Sequence, residues 1–367
     1  MKFSIDRQIL CEAVTNISHA VAVRSSLPVL EGILLSAKDN QLHLAAYNFS
    51  MGMQKNVQLI SCEEEGKIVI NARLLLEMIR RLNGDIVYFE VNERMLCKIK
   101  SNYAEYEVVG MNASEFPEIP VVDNPCDVTV PGNTLKEMVK QTIFAASQNE
   151  NALRPILLGL YFEIDENICK LTAIDGHKMA HRKENVKGND VIDFIAPAKA
   201  IGEAVKLITD ENKNVVLRVG SKYISLDING YNIITRLLEG EFFEYIQIIP
   251  KETSASMKVN TKEIINILER MSLLINDAVK VSVRISLMSG KIIFNCETAL
   301  GRATETYETG VDSPEFEIGF NAQYLIEALK ATESDEVYIN FNSPRQPILI
   351  TPAEGDSFMY IVMPMQL

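Results

Sequence analysis

The sequence predicts an α+β chain of three similar domains, each with two helices backed by antiparallel sheets, and three observations carry that prediction. INARLLLEMI at 70–79 and FNAQYLIEAL at 320–329 match at Asn71 and Asn321, Ala72 and Ala322, Leu75 and Leu325, and Glu77 and Glu327. Halfway along this 250-residue offset stands IAPAKAIGEA (195–204), a degenerate copy whose apolar set runs one residue later. A second trio repeats at a similar spacing: FSIDRQILCEAV (3–14), VTVPGNTLKEMV (128–139) and MKVNTKEIINIL (257–268). At 367 residues the chain exceeds one ordinary core and suits two or three domains.

Each element follows from its local pattern. The first segment passes from a strand through a polar turn into a helix with one apolar stripe, Leu10, Ala13, Val14 and Ile17. LHLAAYNFSMGM (42–53) alternates as strands do. KIVI leads into the 70–79 helix, whose stripe is Leu75, Met78, Ile79 and Leu82, and DIVYFEV (85–91) follows it as a strand. MLCKIKSNYAEYEVVGM (95–111) continues the sheet, and the proline-punctuated NASEFPEIPVVDNPCD (112–127) marks a boundary.

The middle third repeats the order. Its helices carry Leu135, Met138, Val139 and Ile143, then Ile201, Ala204, Val205 and Ile208. CKLTAID, DFIA, NVVLRV and YISLDINGYNIITRLL supply its strands, and the polar PKETSAS (250–256) ends it. In the last third the helices are striped by Ile264, Ile267, Leu268 and Met271, and by Leu325 in the 320–329 segment. KIIFNCETA, EFEIGF, EVYINF, PILITPA and FMYIVMP read as its strands. The expected domains are 1–124, 125–250 and 251–367.

Composition narrows the function. Hydrophobic residues at 47% and charged residues at 23% are globular values, not those of a disordered chain. The opening MKFSIDRQILCEAV breaks its apolar residues with charges, so no signal peptide is expected. No apolar run approaches the ~20 residues that cross a bilayer, so no membrane association is expected. The six cysteines are scattered without a CxxC pair and read as free buried thiols in a reducing cytoplasm. A net charge of −13 argues at first sight against nucleic acid. An enzyme reading rests on Asp175, His177 and His181, since H-x-x-x-H on a helix ligates metal. AIDG reads as strand into turn, so the helical spacing is not assured, no third ligand joins the two histidines on such a helix, and neither a GxxxxGK[ST] loop nor a G-x-S-x-G elbow occurs. No catalytic residue, metal or cofactor is therefore expected.

The helix faces turned away from the apolar stripes carry basic residues: Arg73 and Arg80, Lys136 and Lys140, Lys199 and Lys206, with Arg24 after the first helix. Geometry limits what six such helices enclose. Side by side at ~8–10 Å they make a circumference of roughly 50–60 Å, which leaves almost no hole. Twelve give about 35 Å between axes and ~25 Å clear, enough for a B-form duplex about 20 Å across. Two chains arranged head to tail would enclose DNA, and one would not.

The opening MKFSIDRQIL, RSSLPVLEGILL (24–35), RPILLGLYFE (154–163), AIDGHKMA (173–180), GFNAQYL (319–325) and the closing YIVMPMQL together resemble the bacterial DNA polymerase III beta subunits, the β sliding clamps. The likeness runs the whole chain in order and spacing. It implies the DNA-clamp fold, a head-to-tail dimeric ring lined by twelve helices, and a non-catalytic processivity factor on double-stranded DNA. The implied partners are a second copy, the DNA polymerase III alpha subunit, the clamp-loader delta subunit and other clamp-motif proteins, in the cytoplasm at the nucleoid. Arg24, Arg73, Arg80, Lys199, Asn321 and Tyr324 match positions that approach the duplex, and a basic lining inside an acidic outer surface reconciles the net charge with DNA. The partner-peptide groove carries over to Leu157, Ile174, Gly176, His177, Lys178, Met179, Phe243, Ile248, Ile361, Met363, Pro364 and Met365. The dimer interface carries over to Tyr106, Val108, Leu273 and Leu274. Lys178, Gln247 and Gln366 stand where the family often has arginine, and Phe243 replaces a common proline, which alters the hydrogen bonding open to a peptide.

Overall fold

The computed structural model describes residues 1–149, 154–186, 188, 190–210, 213–250, 252–275 and 282–366. Among them are six α-helices: α1 (Arg7–Ile17), α2 (Ala72–Arg81), α3 (Gly132–Thr142), α4 (Ala198–Lys206), α5 (Thr261–Ser272) and α6 (Ala322–Thr332). The polar residue before a helix explains where four of them begin. Asp6 accepts from the Gln8 and Ile9 amides at 2.8 and 3.0 Å, Asn71 from Leu74 at 3.1 Å, Asn260 from Glu263 at 3.0 Å and Asn321 from Gln323 at 2.9 Å. Such a cap satisfies otherwise orphaned donors and contributes ~1 kcal/mol.

Every helix belongs to the same local pattern, which is longer than the strand–helix–strand unit expected from sequence. An opening strand leads into a helix, and three antiparallel strands follow. Copy one is Lys2–Asp6, α1, Gly32–Lys38, Gln41–Tyr47 and Met51–Gln58; copy two is Gly66–Asn71, α2, Ile86–Val91, Leu96–Ser101 and Ala104–Val109. Copy three is Cys126–Pro131, α3, Gly159–Asp165, Ile168–Ile174 and Lys178–Asn185; copy four is Ile192–Pro197, α4, Asn214–Val219, Tyr223–Ile228 and Tyr231–Arg236. Copy five is Ala255–Asn260, α5, Val283–Met288, Lys291–Thr298 and Gly301–Glu308; copy six is Phe316–Phe320, α6, Glu336–Phe341, Ile348–Pro352 and Phe358–Val362. Within each pair of copies, the opening strand of one pairs with the first strand of its sister's trio. Ile5 lies opposite Val87, Val130 opposite Val215 and Val259 opposite Val337.

The chain groups into two compact units, Met1–Gly132 with Glu203–Leu237, and Asn133–Gly202 with Leu238–Leu367. The first holds a five-stranded sheet, in which Ser61–Glu64 joins strands of copies one and two, and an eight-stranded sheet. That larger sheet is continuous because the last strand of copy one pairs with the last strand of copy four. The second unit holds an eight-stranded sheet, in which the last strands of copies three and six pair, and a four-stranded sheet from copies five and six. The division cuts the middle third because its two sheets continue into different neighbours.

The predicted stripes are buried: Leu10, Ala13, Val14 and Ile17 on α1, Leu75, Met78 and Ile79 on α2, Ile264, Ile267, Leu268 and Met271 on α5. Fully burying one such side chain contributes about 1.5–3 kcal/mol. Ile143 departs from its stripe; it lies half-buried in a 3-10 turn after α3. The middle copy is offset as its helical pattern indicated: Ala196 lies opposite Leu160, as Ile70 lies opposite Ile33. All six cysteines are free, but only Cys97, Cys169 and Cys296 are buried; Cys11, Cys62 and Cys126 are half-buried. Among the described residues no helix is long and apolar enough to cross a membrane.

Candidate functional site: an apolar groove in the second unit

Copy three turns from its second to its third strand through Ile174–Lys178, and this turn borders the candidate partner-peptide groove expected from sequence. Asp175 accepts from the amides of His177 and Lys178, both at 2.9 Å, which folds the chain back in two residues. Gly176 takes φ +90° with open space where a side chain would begin, so the turn leaves a gap rather than a wall. The third strand then pairs with the last strand of the chain, Met179 opposite Ile361, and the Met363 amide donates to the His177 carbonyl at 2.8 Å.

The floor is a buried cluster of Ile174, Met179, Tyr245 and Ile361, with Leu157, Tyr161, Phe242, Phe243, Ile249, Met359 and Met363 packed against it. Leu157 lies within the 3-10 turn Pro155–Leu158, opened by Pro155, whose ring presets the backbone angle there. Tyr161 stacks on Phe242 with centroids 4.5 Å apart, and the Arg154 guanidinium lies 5.2 Å from the Phe243 centroid. The Tyr245 hydroxyl donates to Glu163 at 2.6 Å; burial and then that carboxylate raise its pKa. Burial, with Asp193 and Glu163 nearby, pushes Tyr161 up to about 12. Both phenols thus stay neutral, and their hydroxyls donate to Glu163 and, at 3.4 Å, to Asp193, which leaves apolar ring surface in the cluster. Adaptable aliphatic, methionine and aromatic surface of this kind suits the apolar anchors of an extended peptide.

Of the groove residues expected from sequence, Leu157, Ile174, Met179, Phe243, Ile361 and Met363 come together in this cluster. Gly176 and His177 are exposed at its turn, while Ile248, Pro364 and Met365 lie outside the cluster. Met365 is held by its amide to the Gly319 carbonyl at 2.8 Å. Lys178 is buried, its ammonium paired with Glu327 and, at 3.8 Å, with Asp175, and lying 5.0 Å from the Tyr324 centroid. Gln247 and Gln366 are exposed. Sequence reasoning missed Tyr161, Phe242 and Tyr245. The available signal was EFFEY (241–245), three aromatics in four positions within a connector that lacks strand alternation.

Copy one makes the same turn with a different result. Asn48 accepts from Ser50 and Met51 at 3.0 and 2.8 Å, as Asp175 does from its neighbours. The residue equivalent to Gly176 is Phe49, at φ +68°, and its ring stands edge-on to Tyr47 with centroids 5.4 Å apart. The bare position in copy three is therefore a local choice of residue, not a demand of the turn.

The other candidates are dispersed. Arg24, Arg73 and Arg80 are exposed, and none enters an ion pair among the described residues. Lys199 is exposed on α4. Asn321 spends its side chain on the α6 cap, and Tyr324 stacks on His177 at 5.6 Å, which places it beside the groove turn. Lys140 is paired with Glu333, and Lys206 with Glu203 at 2.7 Å. Tyr106 and Val108 are half-buried on the outer strand of the five-stranded sheet. Leu273 is 81% exposed just past α5, with Leu274 half-buried beside it.

The residues behind the enzyme alternative do not share a helix. His177 ends the turn and His181 lies on the strand Lys178–Asn185. The His181 Nδ1 is 2.9 Å from the Thr172 hydroxyl, and its ring lies 5.3 Å from that of Tyr245. Among the described residues no three His, Cys, Asp or Glu side chains are grouped to hold a metal ion. Burial, then the charges of Lys170 and Lys183, lowers the His181 pKa to about 4. A pKa depressed in the folded state means that the unfolded chain binds the proton first. The stability due to a neutral His181 is fully present above about pH 6.5 and is lost as pH falls toward the folded value. Urea midpoints measured across that window should fall less steeply for His181→Asn than for the unaltered chain; equal slopes would remove this account of His181.

Three family models match successive parts of the chain: the DNA polymerase III beta subunit N-terminal domain over residues 1–120, its central domain over 129–244 and its C-terminal domain over 246–366. The beta sliding clamp of Halalkalibacterium halodurans is 27% identical over 383 residues, covering 100% of both chains. That of Bacillus subtilis is 26% identical over 378 residues, again covering both in full. The crystal structure of the DNA polymerase sliding clamp from Bacillus subtilis superposes with a TM-score of 0.93 at 26% identity, covering 100% of this chain and 99% of that one.

Proposed function

We infer that the chain works as a DNA sliding clamp, because it belongs to the DNA polymerase III beta subunit family. Two copies close head to tail around duplex DNA, hold it by topology rather than by reading bases, and tether a polymerase through the groove. Clamps of this family are non-catalytic, and the chain needs no cofactor for that task. We assign its domains to 1–124, 125–250 and 251–367.

One observation supports the closure most directly. The last strand of copy one is paired with that of copy four, and the last strand of copy three with that of copy six. The corresponding strands of copies two and five, Ala104–Val109 and Gly301–Glu308, are left at the outer edges of their sheets. An unpaired edge is a template for another strand, and a second copy in head-to-tail orientation offers each edge its missing partner. Exposed apolar side chains accompany both edges: Tyr103 and Val109 at one, Leu273 at 81% and Leu300 at 68% at the other. Tyr106, Val108, Leu273 and Leu274 are assigned to this interface. Light scattering should give twice the 41.1 kDa chain mass; a monomer at every concentration would reject the ring.

Within the ring, Arg24, Arg73, Arg80 and Lys199 are assigned to phosphate contacts, with Asn321 and Tyr324 in lesser positions. Because their charges are not committed to internal carboxylates, the three arginines suit sequence-independent sliding. Replacing Arg24, Arg73 and Arg80 by Ala should reduce the slope of log K against log salt by about 0.9 for every lost phosphate contact, with no change in dimer mass. An unaltered slope would remove these residues from the DNA surface. The groove residues are assigned to short apolar motifs of the polymerase alpha subunit, the clamp-loader delta subunit and other clamp-motif proteins. Work of this kind belongs to the cytoplasm, at the nucleoid.

A further inference from the structure

We propose that assembly of this chain is selected by charge, through a ladder of alternating side chains that crosses the subunit boundary at Glu107 of one protomer and Arg302 of its partner. The inference rests on the head-to-tail pairing proposed above and adds its register. Both joints already present in the chain share one register. Gly52 lies opposite Ile234 in one, and Met179 opposite Ile361 in the other. Equivalent positions in the free strands follow from the hairpins that precede them. Tyr47 faces Gly52, Ile174 faces Met179 and Glu297 faces Arg302, which makes Arg302 the counterpart of Gly52 and Met179. Ile228 faces Tyr231 as Ser101 faces Ala104, so Glu107 is the counterpart of Ile234. Across the boundary the same register sets Arg302 opposite Glu107, Ala303 opposite Tyr106, Thr304 opposite Glu105 and Glu305 opposite Ala104.

Burial supports that register independently. Arg302, Thr304, Glu105 and Glu107 are exposed, whereas Ala303, Glu305, Ala104 and Tyr106 are half-buried, so like faces meet. A slip by one residue would set exposed side chains against half-buried ones throughout. The small Ala303 then receives the large Tyr106.

The charges continue in order. Across the five-stranded sheet Lys2 faces Glu90, Glu90 faces Lys98 and Lys98 faces Glu107. Lys98 and Glu107 already approach to 3.8 Å, and Lys2 also reaches Glu63 at 2.7 Å. In the partner, Arg302 faces Glu297. The combined row reads Lys2, Glu90, Lys98, Glu107, then Arg302 and Glu297, alternating in sign without interruption. The next exposed row crosses the boundary as Glu105 against Thr304, a charge against a hydroxyl, so the Glu107 and Arg302 pair carries the charge selection. Directly opposite unlike charges favour pairing, and like charges oppose it. The ring contains this contact twice, which doubles its effect.

Native mass spectrometry of mass-labelled chains tests the inference. Arg302→Glu alone and Glu107→Arg alone should each weaken the dimer on the order of tenfold or more. An equal mixture of the two should form heterodimers, because both boundaries then regain one Glu and one Arg. The double variant should pair with itself and be under-represented in dimers with the unaltered chain. Glu107→Arg also meets Lys98 within its own sheet, so the decisive readout is rescue by Arg302→Glu, in the mixture and in the double variant. Random mixing of all chains in dimers of unchanged affinity would overturn the ladder while leaving the head-to-tail ring intact. An unaltered chain that stays monomeric would instead overturn the pairing itself.

Discussion

Leu273→Asp is expected to leave the protein folded and monomeric. The side chain is 81% exposed, and it follows the end of α5, where its amide donates to the Arg270 carbonyl. A carboxylate there meets water in the free chain and costs the fold little. In the closed ring it would lie in the interface with no cation assigned to it, and an unpaired buried charge costs about 3–5 kcal/mol. At 1.4 kcal/mol for each tenfold, dimer affinity should fall at least a hundredfold. Sedimentation velocity at concentrations where the unaltered chain is dimeric checks this, with the melting temperature as the control for folding. A dimer of unchanged affinity would place the boundary elsewhere.

Gly176→Phe is expected to weaken partner binding at least tenfold while sparing the ring. Copy one shows what an aromatic does at this turn: Phe49 adopts the left-handed backbone and lies edge-on to Tyr47, the counterpart of Ile174. In copy three the same ring would lean over Ile174, part of the groove floor. A non-glycine residue at positive φ costs of order 1–3 kcal/mol, so the melting temperature should drop by a few degrees at most in a chain this long. Affinity for a peptide with the polymerase alpha-subunit clamp motif should fall at least tenfold, measured by fluorescence anisotropy. Undiminished peptide binding would mean that the Ile174–Lys178 turn is not the mouth of the groove.

The readable part of the fold was the part encoded locally. The helix stripes, such as Leu10, Ala13, Val14 and Ile17, declare themselves within a dozen residues. The five-element unit was not legible because its opening strand pairs with the sister copy rather than with its own trio. Lys2–Asp6 finds Ile86–Val91 far along the chain, and nothing local announces that pairing. The one-residue offset of the middle copy has a visible source: Pro197 precedes α4 where Asn71 and Asn321 cap α2 and α6. A comparison at constant spacing therefore starts one residue out.

The resemblance carried the candidate groove onto AIDGHKMA and the closing YIVMP, whose strands the fold pairs with Met179 opposite Ile361. The sequence was less informative where charge is decided by partners. Lys140 and Lys206 looked like members of a basic lining, but each meets a carboxylate, Glu333 and Glu203 respectively. Arg73 and Arg80 have the same helical spacing as Lys199 and Lys206, and spacing alone does not distinguish a committed charge from an available one. Tyr324 is a similar case: the 320–329 pattern puts it on a helix face, while the stacked His177 comes from far away in the sequence.

The central claim is that topology holds this protein on DNA. The direct measurement is retention on circular duplex after loading by its clamp loader, read by gel filtration before and after a single restriction cut. A topologically held ring should co-elute with the closed circle through a high-salt wash and be released when the DNA is made linear. Retention on linear DNA that is lost with salt would mean surface affinity rather than encirclement, and would contradict that claim.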